Sequence, residues 1–194
     1  MSAESAVRRD AILDAAVGCF ARYGFRRTSM DTIARAAHMS RPALYQYFTG
    51  KEEVFRAMGV RMMEAALAEA ERHKAGPAPI LEKLSAILLV RMNLTHGQDV
   101  VTSFGRDLLA DIETVAGDLL ASFNVRMIAI LESVLTNSDE LDVAAAQMSA
   151  HDVAVLLLDA LAGIDQTGDA YDVKRGKVRR LAQLTVSALR SAVD

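Results

Sequence analysis

The chain has 194 residues, of which 52% are hydrophobic and 24% are charged, and its formal net charge is −3. A chain of this length can bury a substantial core in one large or two small domains. A single cysteine excludes an internal disulfide, and no charge-free stretch exceeds nine residues, whereas about 20 apolar residues are needed to cross a bilayer. The amino terminus lacks an apolar signal core, so the sequence predicts a cytoplasmic protein with no membrane partner.

The charge is unevenly distributed along the chain. Residues 1–60 carry nine Lys and Arg against six Asp and Glu, whereas residues 61–194 carry thirteen against nineteen. A basic amino-terminal part is compatible with nucleic-acid binding, although a difference of this size also fits an ordinary solvated surface.

Apolar residues recur at helical spacing through most of the chain, and no segment shows the alternation typical of a strand. The pattern predicts an all-α fold with about nine helices. The first helix is predicted over about 6–23, with Gly24 at its end. The segment Thr49-Gly50-Lys51-Glu52 has capping-box spacing and predicts the start of a long connector helix that runs to about residue 74.

The rest of the chain is divided by a turn-rich segment, Gly76-Pro77-Ala78-Pro79, and by a polar stretch over 136–140. The spacing from Ser149 to Asp152 predicts a further helix cap. Helices are predicted over about 78–95, 99–110 and 111–136, the last two either separate or joined at a kink, then after Ser149, and over about 173–192.

Residues 28–51 contain two short predicted helices separated by a three-residue turn, with Ser29 and Ser40 as amino-terminal caps. In the second helix, helical spacing places Leu44 and Phe48 on one face, where they can anchor the helix to a small core. The other faces carry the residues expected to meet DNA. Ala43 and Gln46 are predicted to face base edges, while Arg41, Tyr45 and Tyr47 can reach phosphates on either flank of a major groove. The layout is that of a helix-turn-helix DNA reader.

Five segments resemble the amino-terminal domain of the tetracycline-repressor (TetR) family of bacterial transcriptional regulators in order and spacing. They are residues 9–16 (RDAILDAA), 20–25 (FARYGF), 28–34 (TSMDTIA), 40–48 (SRPALYQYF) and 51–55 (KEEVF). The resemblance covers roughly the first third of the chain. One departure is His38, which stands where the family usually places a turn glycine, and histidine tolerates positive φ better than most residues.

The resemblance implies a DNA-binding domain over 6–52, a ligand-binding and dimerisation domain over 53–194, and a double-stranded DNA operator as partner. The positions that match the family's usual DNA contacts are Ser40, Arg41, Pro42, Ala43, Tyr45, Gln46, Tyr47 and Lys51, with Thr28, Ser29 and Met30 near the DNA backbone at the start of the preceding helix.

Two apolar stripes mark the last two predicted helices. They contain Val153, Leu157 and Leu161 in one helix and Leu181, Leu184 and Ala188 in the other. Such stripes can pack against the body of the same chain. In the TetR family, however, the terminal helices of two subunits pair as a four-helix bundle, and the resemblance therefore favours a homodimer through these six residues.

Methionine is frequent, with nine residues in the chain, and several methionines fall on the middle helices. Methionine adapts to irregular shapes, so these side chains can line a cavity for an apolar or aromatic small-molecule effector, or can be ordinary core. The residues of this candidate pocket are Met58, Met62, Met92, Phe104, Phe123 and Met127.

No motif of an enzyme, a metal site or a cofactor site is found in the sequence. His73, His96 and His151 lack metal-ligand spacing, and Cys19 lies on the inner face of helix 1 as a small core residue. The favoured hypothesis is a DNA-binding transcriptional regulator, a repressor released from a palindromic operator by a small molecule. The alternative is a helical ligand-binding or interaction protein with a vestigial helix-turn-helix.

Overall fold

The computed structural model describes residues 3–96, 105–144 and 147–190, and this part of the chain is helical apart from turns and an isolated β-bridge between Leu141 and Arg190. The predicted all-α fold is confirmed. The helices in chain order are α1 Ala3–Arg27, α2 Met30–Ala36, α3 Arg41–Tyr45, α4 Lys51–Ala75, α5 Ile80–His96, α6 Gly105–Thr136, α7 Ala150–Gln166 and α8 Tyr171–Leu189.

The described ranges contain eight helices rather than the predicted nine or so, and α6 accounts for the difference. The two helices predicted over 99–110 and 111–136 are joined, within the described residues, into one helix with a kink at Ala116 (φ −142°, ψ 25°). Ala116 is buried at 2% exposure, so the kink is packed against other residues. A kink and a short loop both interrupt the apolar repeat in the same way, so the sequence pattern could not distinguish one kinked helix from two separate helices.

Helical geometry in α1 is interrupted at Gly24, where φ is 73° and ψ is 166°. The glycine is required there because a side chain would be strained at positive φ. The predicted helix end at Gly24 therefore corresponds to a break, after which one further turn extends to Arg27.

The chain forms two compact units. The reader unit comprises Met1–Met63 and Thr95–Ala121, and the body unit comprises Glu64–Leu94 and Ser122–Asp194. The predicted domain boundary between residues 52 and 53 falls inside the reader unit. The division into a DNA-binding domain and a ligand-binding and dimerisation domain remains a prediction.

The core of the reader unit is built around three aromatic side chains. The ring centroids of Phe20 and Phe55 are 5.1 Å apart in an edge-on arrangement, and Phe25 lies 5.1 Å from Phe55. Burying each large apolar side chain contributes roughly 1.5–3 kcal/mol, so this cluster fixes the short helices α2 and α3, which could not be stable alone. Further buried members of the cluster are Ile12, Leu13, Ala16, Ile33, Leu44, Phe48 and Val54.

Within the reader unit, α4 is attached to α6 by a two-pronged ion pair. The Arg56 guanidinium donates to both carboxylate oxygens of Asp118, at 2.7 and 2.6 Å, and to the Val115 carbonyl at 2.7 Å. These contacts lie beside the kink at Ala116. Hydrogen bonding from Arg56 lowers the pKa of Asp118 to about 2.

The body unit buries a different set of side chains. Arg91 is half-buried, lies over the Phe123 ring at 5.7 Å, and donates through Nε to the Asn124 side-chain oxygen at 3.2 Å. Burial lowers the pKa of Arg91. Lys174 is only 5% exposed, and its Nζ donates to the Asp165 carbonyl at 2.6 Å. Helices α7 and α8 pack against each other.

Within the described ranges, one helical stretch, Val115–Thr136 of α6, is long and apolar enough by length and composition to cross a membrane. From the length of charge-free runs, no segment was expected to be long enough to cross a membrane. That expectation missed this helix because a few interior charges interrupt the run without lowering the mean hydropathy much. The three charged residues of this stretch have polar partners: Asp118 pairs with Arg56 in the reader unit, and in the body unit Arg126 pairs with Glu64 and Glu132 contacts His151. The core helix of a soluble protein can have the same length and composition, so this stretch by itself is weak evidence for a membrane span.

Candidate nucleic-acid interface

Helices α2 and α3 are defined by hydrogen bonds from their own sequence. The Ser29 hydroxyl accepts the Thr32 amide at 3.1 Å, and the Ser40 hydroxyl accepts the Ala43 amide at 3.3 Å, so both predicted caps are confirmed. Pro42 lies in the first turn of α3, where an amide has no helical partner to lose.

The backbone of the turn between the two helices has a positive φ at His38. This is the conformation expected at the position where the TetR family usually has a glycine. His38 has φ 54°, its amide donates to the Arg35 carbonyl at 3.2 Å, and the Met39 amide donates to the Ala34 carbonyl at 2.9 Å. This pair of bonds is the Schellman arrangement that ends helices at a left-handed residue. The turn is therefore intact without glycine.

Burial confirms the predicted core face of α3. Leu44 and Phe48 are 0% and 1% exposed and belong to the reader core. The exposed residues of α3 and of its carboxyl-terminal cap, together with the cap of α2, form what we call the reading surface: Ser29, Arg41, Pro42, Tyr45 and Gln46. Ser40 is also exposed, whereas Ala43 and Tyr47 are half-buried at the edge of this surface.

Arg41 is held on the reading surface by two neighbours. Its Nη1 lies 3.4 Å from the Asp31 carboxylate, and its Nη2 donates to the Tyr45 hydroxyl at 3.4 Å. The hydrogen bond that Arg41 donates to Tyr45 and the charge of Asp31 raise the pKa of Arg41. Both contacts are long and exposed, so a phosphate could replace Asp31 at little cost.

Two of the predicted DNA contacts have buried side chains. Thr28 is 2% exposed, and its hydroxyl donates to the Gly24 carbonyl at 2.7 Å. Met30 is 7% exposed and belongs to the reader core. The side chains of Thr28 and Met30 are therefore not part of the reading surface. A motif match marks a position in the chain, and burial decides whether its side chain or its backbone is available.

Lys51, also predicted to contact DNA, is engaged by the end of α1. Its Nζ donates to the carbonyls of Phe25 and Arg26 at 2.9 and 3.1 Å, and it lies 4.6 Å from the centre of the Phe25 ring. The carbonyls at a helix end attract cations, so Lys51 stabilises the break that follows Gly24. Contact between Lys51 and DNA remains a prediction.

Comparison with known proteins agrees with this geometry. Residues 12–58 match the family described as bacterial regulatory proteins, tetR family. Among curated relatives, the transcriptional regulator YhgD of Bacillus subtilis is 26% identical over 91 residues, which are 46% of this chain and 48% of YhgD. The predicted resemblance to TetR-family regulators is confirmed over residues 12–58.

Further relatives extend the likeness. An HTH-type transcriptional repressor of Mycobacterium tuberculosis is 37% identical over 34% of this chain and 36% of its own length. A crystallised TetR/AcrR-family regulator from Thermobifida fusca shares the TetR fold over 95% of this chain and 99% of its own, with 20% identity and a TM-score of 0.69. The chain thus matches about a third to a half of the length of these curated relatives, and the likeness over its whole length is one of fold.

The residues of the predicted effector pocket belong to two different units. Met58 and Met62 are part of the reader unit, where Met58 is buried in the core and Met62 packs against it. In the body unit, Met92, Phe123 and Met127 are at most 2% exposed. Phe104 lies outside the described residues. Burial alone fits both core packing and a closed pocket, so the pocket remains a prediction.

The predicted dimer stripes have different outcomes in the two helices. On α7, Val153, Leu157 and Leu161 are 5%, 2% and 3% exposed within the single chain, so they are core residues and the predicted stripe is the wrong face. The exposed leucine of α7 is Leu156, at 54%, which the sequence reasoning did not select.

On α8 the predicted stripe does face outward. Leu184 is 69% exposed, Ala188 is exposed and Leu181 is half-buried, whereas Val178, Ala182 and Val186 fill the core side. Helix α8 has one strongly apolar side, which faces the core. Its outer apolar stripe could therefore be recognised in the sequence as a separate feature. Helix α7 is apolar on both sides, and periodicity could not tell which side the chain itself covers.

Proposed function

We propose that the protein is a sequence-specific DNA-binding transcriptional regulator. The observation that carries this proposal is the reading surface: two short capped helices, fixed by a buried Leu44 and Phe48, present Arg41, Tyr45 and Gln46 outward. A helix of this kind fits the major groove, where glutamine can pair with a base edge and arginine and tyrosine can bind phosphate.

The proposed functional form is a homodimer on a palindromic operator. Support comes from the last two helices, which pack against each other and carry exposed leucines, Leu156 on α7 and Leu184 on α8. An apolar patch shared by such a pair of helices is suited to contact a second copy of the chain. Two identical readers on a two-fold dimer would bind half-sites about 34–36 Å apart, one turn of the double helix.

The proposed control is release by a small apolar or aromatic molecule bound among Met92, Phe123 and Met127 of the body unit. These side chains are large, buried and adaptable in shape, which suits a ligand with few charges. A ligand shifts DNA affinity only if it binds the DNA-competent and DNA-incompetent states differently, so the effect must be reciprocal.

The test is DNA binding by fluorescence anisotropy, using the DNA upstream of the protein's own gene and a scrambled duplex of equal length. We expect specific binding that Arg41→Ala weakens, because that residue is assigned to phosphate. Binding of both duplexes with equal affinity, or of neither, would favour the alternative that the helix-turn-helix is vestigial.

A further inference from the structure

A groove of about 750 Å³ lies between α1 and α2 of the reader unit, and its lining residues are different from those of the reading surface. Small residues, including Gly18 of α1 and Ala36 of α2, keep it open. Arg22, Arg27 and Arg35 line it, whereas no carboxylate is found among its lining residues in the described part of the chain. These arginines lie on two helices and converge only in the fold, so spacing along the chain does not reveal the groove.

The groove is suited to bind phosphate. Arg22 and Arg35 are exposed; Arg22 lies 5.5 Å from the centre of the Tyr23 ring, and the Arg35 Nε has a long contact of 3.4 Å to the Asp31 carbonyl. Neither Arg22 nor Arg35 forms an ion pair with another described residue. Guanidinium groups can bind phosphate oxygens through two parallel hydrogen bonds. Arg22 and Arg35, in a groove with no carboxylate among its described lining residues, produce a local positive potential.

The groove is continuous with the reading surface. Thr32 lines the groove, and its hydroxyl lies 2.9 Å from the hydroxyl of Ser29, which belongs to the reading surface. In a helix-turn-helix, the first helix crosses the DNA backbone while the second lies in the major groove. Helix α2, with seven residues, is about 10 Å long. At roughly 3.4 Å of axial rise per phosphate on one strand, it spans about three phosphates.

We propose that this arginine groove binds the DNA phosphate backbone just outside the half-site that α3 reads, and so lengthens the operator that the protein requires. The inference rests on the proposed DNA-binding function and adds to it a second, sequence-independent contact. Arg22 and Arg35 carry the contact, and Tyr23, at 39% exposure, is available to donate its hydroxyl to the same strand.

The experiment compares two duplexes, one with the core palindrome alone and one with the same core and ten additional base pairs on each side. Arg22→Gln/Arg35→Gln is compared with wild type and with the matched control Arg72→Gln/Arg179→Gln, which removes two exposed arginines of the body unit. We expect wild type and control to bind the long duplex more tightly than the core. The groove variant should lose at least about tenfold on the long duplex and little on the core.

The salt dependence gives a second readout. For the long duplex, the slope of log affinity against log salt should flatten by about 0.9 for each phosphate contact that the groove variant loses. Arg35→Lys should restore part of the slope because it keeps the charge. Equal melting temperatures for wild type and variants exclude a loss of fold, which we do not expect because both arginines are exposed.

Three results would overturn the proposal: an unchanged affinity of the groove variant for the long duplex, an equal loss on both duplexes, or a flank advantage that comes from a second protein dimer in the complex. The last would assign the groove to contact between copies of the chain. Failure of wild type to distinguish the palindrome from a scrambled duplex would instead overturn the proposed function itself.

Discussion

Gln46 is exposed at the carboxyl end of α3. We expect Gln46→Ala to relax discrimination at one base pair per half-site, by about 1–3 kcal/mol, because a bidentate contact to a base edge would be lost. The measurement is enrichment from a randomised operator library. Tyr45→Phe is the control, since loss of a phosphate contact should weaken all sequences alike; an unchanged preference for Gln46→Ala would remove this residue from base reading.

Thr28 shows how a residue in a DNA-binding motif can serve the fold instead. We expect Thr28→Val to lower the free energy of unfolding by about 1 kcal/mol, because the buried hydroxyl donates to the Gly24 carbonyl and valine leaves that carbonyl with one bond fewer. Thr28→Ser, which keeps the hydroxyl, is the control, and chemical denaturation measures both. A variant with wild-type stability and altered base preference would return Thr28 to the reading surface.

At the scale of single helices, the local sequence predicted which helices are capped. It was less accurate about which residue completes the cap. Ser29, Ser40 and Ser149 cap as predicted, because a cap depends only on residues within one turn. The capping box expected from Thr49 to Glu52 is displaced by one residue. Helix α4 begins at Lys51, and Glu53 accepts the Thr49 amide at 2.7 Å and its hydroxyl at 2.8 Å.

The displaced cap gives a matched pair of variants. Glu53→Ala should destabilise the protein by about 0.5–2 kcal/mol, whereas Glu52→Ala should change stability by less than about 0.5 kcal/mol. Hydrogen bonds from Thr49 lower the pKa of Glu53, so its contribution is complete above the ordinary carboxyl pKa and is lost as pH falls below it. The gap between the two variants in thermal unfolding should therefore close on acidification, and equal effects at neutral pH would contradict this cap.

For the whole molecule, the helical class, the helix-turn-helix and the core of the reader were all predictable, because each depends on periodicity and spacing along the chain. The inner face of α7 was not, since Val153, Leu157 and Leu161 form as regular a stripe as any interface would. Which of two apolar faces the chain buries depends on partners distant in sequence. The same reason explains why the convergence of Arg22 and Arg35 could not be foreseen.

Burial of single residues sharpens the dimer prediction. Leu156→Glu and Leu184→Glu should give folded monomers in sedimentation, because each carboxylate would enter an interface whose apolar contacts it cannot replace. Leu161→Glu should instead unfold the chain, since that side chain is 3% exposed within the monomer. Val125→Glu, on an α6 residue that is 66% exposed, is the control and should remain dimeric. Dimers from both interface variants would place the interface elsewhere.

The two ion pairs between α4 and α6 have a consequence for how these helices respond to solution conditions. The basic partner belongs to α4 in the reader unit, as Arg56 with Asp118, and to α6 in the body unit, as Arg126 with Glu64. All four side chains are at least one-third exposed, so added salt screens both pairs while it also displaces protein from phosphate. Under the proposed function, a rise in ionic strength would therefore weaken two kinds of contact at once, the binding of phosphate and the pairing of α4 with α6.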